Sequence, residues 1–430
     1  MTPTPPGPLS RRGPRPLLLH LMLVALRQTA LPAALLATTS SSASSTGSTR
    51  SNGASWRWRS EQACLQAADL ARRLDAAGHA PSDLAGPVLR ALAAEDRALI
   101  AGIAAYRRHP WRRTLADPPV LWSEGGTRLL DYGATAALSP GATILLVVPS
   151  LVNRAHILDL MDGASMLRWL AAQGIRPLLL DWGWPGPTER AFTLTDYIAG
   201  RLERALTVAT REAGGPVLLA GYCMGGTLAL AAAHRRPDLV RGLALLATPW
   251  DFHAGEPDRA RVLAALLPLF EPAMAFADTL PIDLLQTLFA LLDPFGVTSK
   301  YRAFARLDPA GARARLFVAL EDWLNDGVPL PAPVARECLA GWYGRNEPAQ
   351  MRWRVAGLPV DPRAVAVPAF LAIPARDRIV PPDSSRPLAS LLPRAEVLEP
   401  TAGHIGMAAG SGAEAALWRP LAAWVAGVGR

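Results

Sequence analysis

Cys223 stands in the run Gly221-Tyr222-Cys223-Met224-Gly225-Gly226, between an apolar stretch of strand length and one of helical spacing. A G-x-C-x-G pattern at such a junction describes a nucleophile elbow with a thiol in place of the usual hydroxyl. The sharp turn holds the nucleophile in strained backbone above a sheet edge. Flanking glycines remove Cβ atoms that would strike the adjoining strand and helix. The helix that follows aims its first N–H groups and its positive end at the site, which favours a thiolate. A structural cysteine in a Gly-rich turn is the bland alternative, and the residues downstream weigh against it.

A thiol nucleophile needs a base, the base needs an orienting acid, and in this architecture they follow in the order nucleophile, acid, histidine. The apolar run Ala369–Ile373 leads into Pro374-Ala375-Arg376-Asp377, which makes Asp377, 154 residues after Cys223, the candidate acid. Asp383 is the rival, but it precedes Ser384-Ser385 at a predicted helix start, where an N-cap fits better. The last predicted strand, Glu396–Leu398, runs into Thr401-Ala402-Gly403-His404-Ile405-Gly406, so His404 is the candidate base, on a Gly-flanked loop. The other six histidines (His20, His79, His109, His156, His234, His253) read as structural. In acyl transfer His404 would take the Cys223 proton, and Asp377 would fix its tautomer and stabilise the imidazolium. The oxyanion needs two donors. The Met224 N–H is one by the geometry of the elbow; the other comes from the loop Ser150–Asn153, at Leu151 or Val152.

The elements that must position these groups alternate. Strands are predicted at Arg128–Tyr132, Thr143–Val148, Pro177–Leu180, Val217–Ala220 and Leu243–Leu246, with helices at Leu167–Ala172, Thr195–Glu212 and Gly225–Arg235 between them. Such alternation means a mostly parallel sheet covered by helices on both faces. After Thr248-Pro249-Trp250 the alternation stops, and about 251–365 has helical apolar spacing, read as a cap inserted over the carboxyl edge of the sheet. The sheet pattern then resumes, with Ser385–Leu392 and Ala413–Val428 as closing helices. The expected organisation is a basic, Pro/Ser-rich and partly disordered arm over 1–60, a helical segment over 61–115, and a core over 116–430 that carries the cap.

Half of the 430 residues are hydrophobic, enough for a large core, and the formal net charge is +8. Residues 1–60 hold seven arginines and no acid, so the body is close to neutral and lacks the cationic stripe of a nucleic-acid reader. Leu17–Leu26 is an apolar run of ten, too short to span a bilayer. The arm admits an export signal, but Pro14 and Pro16 follow Arg11-Arg12 at once, and a cytoplasmic arm that adsorbs weakly to apolar or anionic surfaces is the expectation. Three cysteines make a poor disulfide framework, and Cys64 and Cys338 lack metal-ligand company. No phosphate-cradling or dinucleotide motif is present, so no metal or cofactor is expected.

Several motifs, in order, resemble polyhydroxyalkanoate synthases: Val148-Pro149-Ser150-Leu151-Val152-Asn153, Asp181-Trp182-Gly183-Trp184-Pro185, the elbow, Thr248-Pro249-Trp250-Asp251-Phe252, Asp377 before Val380-Pro381, and Gly403-His404-Ile405. The resemblance covers about 115–428 and is closest to the short catalytic subunit. It implies an α/β-hydrolase fold and a polymerase of (R)-3-hydroxyacyl-CoA, with its catalytic Cys, Asp and His at Cys223, Asp377 and His404. The implied partners are the CoA thioester substrate, the growing polyester, a second synthase subunit or a homodimer, and the polymer granule surface. A Cys-dependent hydrolase, a thioesterase or a dienelactone-hydrolase-like esterase, is the alternative, although the dienelactone enzymes lack a long insertion. A non-enzymatic surface protein is a third reading, which an intact triad disfavours.

Overall fold

The computed structural model describes residues 11–40, 61–255, 257–293 and 295–428. The chain divides into two compact units, Met1–His109 with Pro294–Pro309, and Pro110–Asp293 with Ala310–Arg430.

In the first unit, α1 (Leu17–Ser40), α2 (Glu61–Ala76) and α3 (Ala85–Arg108) follow one another. Of the arm expected over 1–60, residues 17–40 form α1, which carries on from the apolar run through Arg27. The Arg27 guanidinium is bound by Glu95 at 2.6 Å and Asp96 at 2.9 Å, so this charge does not terminate the helix. The rest of that expectation, at 1–10 and 41–60, lies outside the described residues.

In the second unit, β1 (Val120–Glu124) and β2 (Thr127–Asp131) form a hairpin. Next come β3 (Ile144–Val148), α4 (Met166–Ala172), β4 (Arg176–Asp181), α5 (Glu203–Ala213), β5 (Val217–Tyr222), α6 (Met224–Arg235) and β6 (Val240–Leu246). The insertion follows, with α7 (Pro257–Ala265), α8 (Leu267–Ala277) and α9 (Ile282–Ala290). The next helix, α10 (Gly296–Phe304), belongs to the first unit, and the chain returns through α11 (Ala312–Asn325) and α12 (Ala332–Arg336). Strand β7 (Ala369–Ala372), α13 (Pro382–Leu391), β8 (Ala395–Leu398), α14 (His404–Ala409) and α15 (Arg419–Val428) close the fold. The expected cap over 251–365 is therefore interrupted. A close helix crossing holds α10 in the first unit: a Cβ at Gly102 of α3 would overlap the Tyr301 carbonyl, and Tyr106 meets Tyr301 edge-on at 5.6 Å.

The eight strands lie in the order β1-β2-β4-β3-β5-β6-β7-β8. The β1/β2 and β2/β4 pairs are antiparallel and all others parallel. Strand β3 shows why the sequence reads as unbroken apolar runs. Leu145 and Val147 enter the core under α4, while Ile144, Leu146 and Val148 enter the core under α5 and α6, and all five are buried. A sheet covered on both faces cannot alternate polar with apolar. Phe270, Met274 and Leu285 of the insertion join the second of those cores. Two predicted helices are not regular throughout: Asp196–Leu202 and Glu414–Trp418 are wider π turns that precede α5 and α15. No single described helix is long and apolar enough to cross a membrane.

Candidate active site

The elbow forms at the carboxyl end of β5. Cys223 adopts φ 57° and ψ −130°, a region that costs an L-residue about 1–3 kcal/mol. The strain is sustained by close approaches on three sides. A Cβ at Gly221 would overlap Gly225 and Gly226, one at Gly225 would overlap the Val148 carbonyl, and one at Gly226 would overlap the Thr248 hydroxyl. The Cys223 N–H donates to the Leu246 carbonyl of β6 at 2.8 Å, and the Cys223 carbonyl accepts from the Gly226 N–H at 2.9 Å. The side chain is half-buried.

Asp377 follows β7 in a turn closed by its own N–H on the Pro374 carbonyl. Its Oδ1 accepts from the N–H groups of Ile379 at 2.8 Å and Val380 at 2.9 Å, which leaves Oδ2 for the His404 Nδ1 at 2.6 Å. Both side chains are buried. His404 is the first residue of α14, after Gly403, rather than part of an open loop, so its backbone is fixed by a helix start. With Nδ1 held by the carboxylate, Nε2 is the ring nitrogen left to serve a nucleophile. Burial pulls the imidazole down, but the charge on Cys223, the hydrogen bonds to Asp377 and Cys223, and the Asp377 charge outweigh it and push it up to about 10. The site thus favours the imidazolium form of His404.

Asp383 is excluded by geometry. It lies inside the first turn of α13, whose N-cap is Pro381, and it pairs with Arg386 at 2.7 Å. The expectation that Asp383 caps that helix is also corrected: the cap residue is a proline with no side-chain acceptor.

Met224 opens α6, so its N–H has no intrahelical acceptor and is left for an oxyanion. The two loop candidates differ. The Val152 N–H donates to the Ser150 hydroxyl at 3.2 Å, whereas Leu151 is buried in the same loop. That loop is fixed from below by Trp182, whose indole N–H donates to the Pro149 carbonyl at 2.9 Å. This contact gives the Asp-Trp-Gly-Trp motif a local reason.

Sequence reasoning missed Tyr222 as a partner of the histidine. The Tyr222 hydroxyl donates to the His404 carbonyl at 3.2 Å, and the two rings lie 5.1 Å apart. Burial, then the charges of Cys223 and Asp377, raise its phenol well above the usual value, so it stays a neutral donor. Tyr343 was also missed. It sits close enough for the Cys223 charge to bear on its phenol and stacks edge-on against Phe252 at 5.0 Å. The loop that carries Phe252 is held by Asn346, which accepts from the Phe252 N–H and donates to Asp251. Only the periodicity break after Trp250 could have flagged that loop. Cys338 is buried, and desolvation and the Glu337 charge push its thiol up, which makes it a poor nucleophile. The Cys64 side chain lies outside the described ones. Among the described residues no group of three or more His, Cys, Asp or Glu could hold a metal ion.

Residues 145–290 match a family described as alpha/beta hydrolase fold, in keeping with the strand order. The poly(3-hydroxyalkanoate) polymerase subunit PhaC of Allochromatium vinosum is 32% identical over 289 residues, which cover 65% of this chain and 80% of that protein. The chain belongs to the poly(3-hydroxyalkanoate) polymerase family. Two further members show the same likeness. The subunit of Haloferax mediterranei is 31% identical over 71% of this chain and 63% of its own length. That of Thiocystis violacea is 28% identical over 71% of this chain and 86% of its own. The chain thus spans somewhat under two thirds of the haloarchaeal polymerase and most of the other two.

Proposed function

We propose that the chain polymerises (R)-3-hydroxyacyl-CoA into polyhydroxyalkanoate with release of CoA, through a Cys223–His404–Asp377 triad. The observation that carries this reading is the 2.6 Å bond from His404 to Asp377, with the elbow tied to the same histidine through the Tyr222 hydroxyl. In the first half-reaction His404 takes the Cys223 proton, and the thiolate attacks the thioester carbonyl. The Met224 and Leu151 N–H groups receive the oxyanion. The C–S bond to CoA breaks, the leaving thiolate takes the proton from His404, and an acyl-Cys thioester remains. In the second half-reaction His404 removes the proton of a 3-hydroxyl, whose oxygen attacks the acyl-Cys carbonyl. An ester forms, the Cys223 sulfur leaves as a thiolate, and His404 returns the proton to it. Sulfur-to-sulfur transfer is nearly isoenergetic, so the acyl group stays activated until the hydroxyl arrives.

The proposal extends to the surroundings. The protein acts in the cytoplasm, at the surface of its polymer, as a homodimer or with a second synthase subunit, and it needs no metal or cofactor. Family membership and the thioester substrate support this setting. The test is CoA release from 3-hydroxybutyryl-CoA by the purified full chain, alone and with a candidate second subunit, with the products separated by size. Polymer supports the proposal. Release of free 3-hydroxybutyrate alone overturns polymerisation in favour of a hydrolase, and no CoA release in either arm overturns the enzyme.

A further inference from the structure

Helix α1 is amphipathic in the reverse sense. Among its described side chains, which end at residue 28, Arg27 turns inward to bind Glu95 and Asp96, and His20 is buried. Leu18, Leu21 and Met22 turn outward, 75%, 40% and 62% exposed. These three positions fall on one helical stripe, which Leu26, 60% exposed, prolongs by one turn. A helix that packs only against its own protein buries its apolar side. Here the ion pairs to α3 fix the opposite orientation.

Charge is divided just as unevenly. By sequence, the unit that contains α1 has sixteen arginines and lysines against seven aspartates and glutamates, while the other unit has 28 against 29. Arg11, Arg12 and Arg15 lead directly into α1, and Arg12 is exposed. From Leu18 to Leu26 the stripe is about 12 Å long. A stripe of that length suits a helix lying in an interface and not one crossing it. A second copy would bring the same cationic unit against itself, so self-association through this face is opposed by charge.

We propose that this face of α1 docks the protein on an anionic lipid surface. Leu18, Leu21 and Met22 would enter the boundary between headgroups and acyl chains, and the exposed Arg12 would meet lipid phosphates. The inference does not depend on the proposed polymerisation. Its test is sedimentation of the full chain with phosphatidylcholine vesicles and with mixed phosphatidylcholine–phosphatidylglycerol vesicles. The chain is expected to pellet with the mixed vesicles, at least about tenfold more tightly than with the neutral ones, and to be released by high salt. Leu18→Asp combined with Met22→Asp should abolish pelleting and leave the circular-dichroism melting curve unchanged. A chain that stays in the supernatant with both vesicles overturns the proposal, as does a double variant that pellets like the parent. Loss of a dimer on light scattering, without loss of lipid binding, makes a second copy the occupant and also overturns it.

Discussion

The elbow and the insertion after β6 follow each other in the chain and obey opposite rules. At the elbow every approach is tight: three glycines touch neighbouring backbone or side chain, and both oxygens of Asp377 are taken. In α7 and α8, on the other hand, large apolar side chains point away from the protein, with Val262 60%, Leu269 72% and Phe276 94% exposed. The triad residues thus stand where the sheet over-determines geometry, and α7 and α8 bury only their inward faces, at Leu263, Phe270 and Met274. Strain at Cys223 persists because the first region cannot relax.

The contrast breaks first at the nucleophile. Cys223→Ala should lower CoA release by at least about four orders of magnitude, with a melting temperature within a few degrees of the parent. A variant that unfolds would mean the thiol itself holds the elbow together. Asp377→Asn comes next, with an expected loss of about 10²–10⁴-fold in turnover. This variant also carries a pH signature. The His404 imidazolium, raised from 6.5 to about 10, contributes stability that is full below pH 6.5 and is lost as pH rises through about 10. Removing the Asp377 charge lowers that upper limit, so the alkaline fall in melting temperature should begin at lower pH in Asp377→Asn than in the parent. Identical thermal profiles from pH 6.5 to 10 would show that the carboxylate does not hold the proton there.

Two finer changes probe how tight the first region is. Gly226→Ala forces a methyl onto the Thr248 hydroxyl and should cost about 1–3 kcal/mol, read from chemical denaturation. Tyr222→Phe keeps the ring against His404 and removes only the hydrogen bond to its carbonyl, a contact of about 1 kcal/mol. Turnover should fall by roughly fivefold with KM unchanged, and the pH profile of thiol alkylation should shift because the imidazole is less firmly held. An unchanged profile would reduce Tyr222 to a packing residue.

What the sequence made legible followed the same divide. The elbow, the order of Cys223, Asp377 and His404, and the strands that carry them could be read because each rests on local chemistry: a Gly-rich turn, an apolar run and a turn after it. Contacts joining distant segments could not. Nothing in the periodicity of Gly296–Phe304 says that its Tyr301 meets Gly102, two hundred residues earlier, or that a glycine there admits the helix. The bond from the Val152 N–H to the Ser150 hydroxyl, which sets Val152 apart from Leu151, could not be read either. Tyr222 looked like a spacer in the elbow because the residue it holds lies at the far end of the core. The reversed polarity of α1 was equally hidden, since an apolar run with an arginine at its end reads alike whichever side faces inward.

The smallest effect belongs to the second region. Phe276 lies in α8, six residues after the buried Phe270, and exposes nearly its whole ring. If the insertion is held only by its inward face, Phe276→Ser should change unfolding free energy by less than about 0.5 kcal/mol. It removes no contact that the folded chain makes, and the ring is as wet in the unfolded state. CoA release from a soluble thioester should likewise stay at the parent value. A loss of about 3–5 kcal/mol, the cost of deleting a core phenylalanine, would show that another surface covers α8 in solution. The two regions would then differ in their partner and not in their packing.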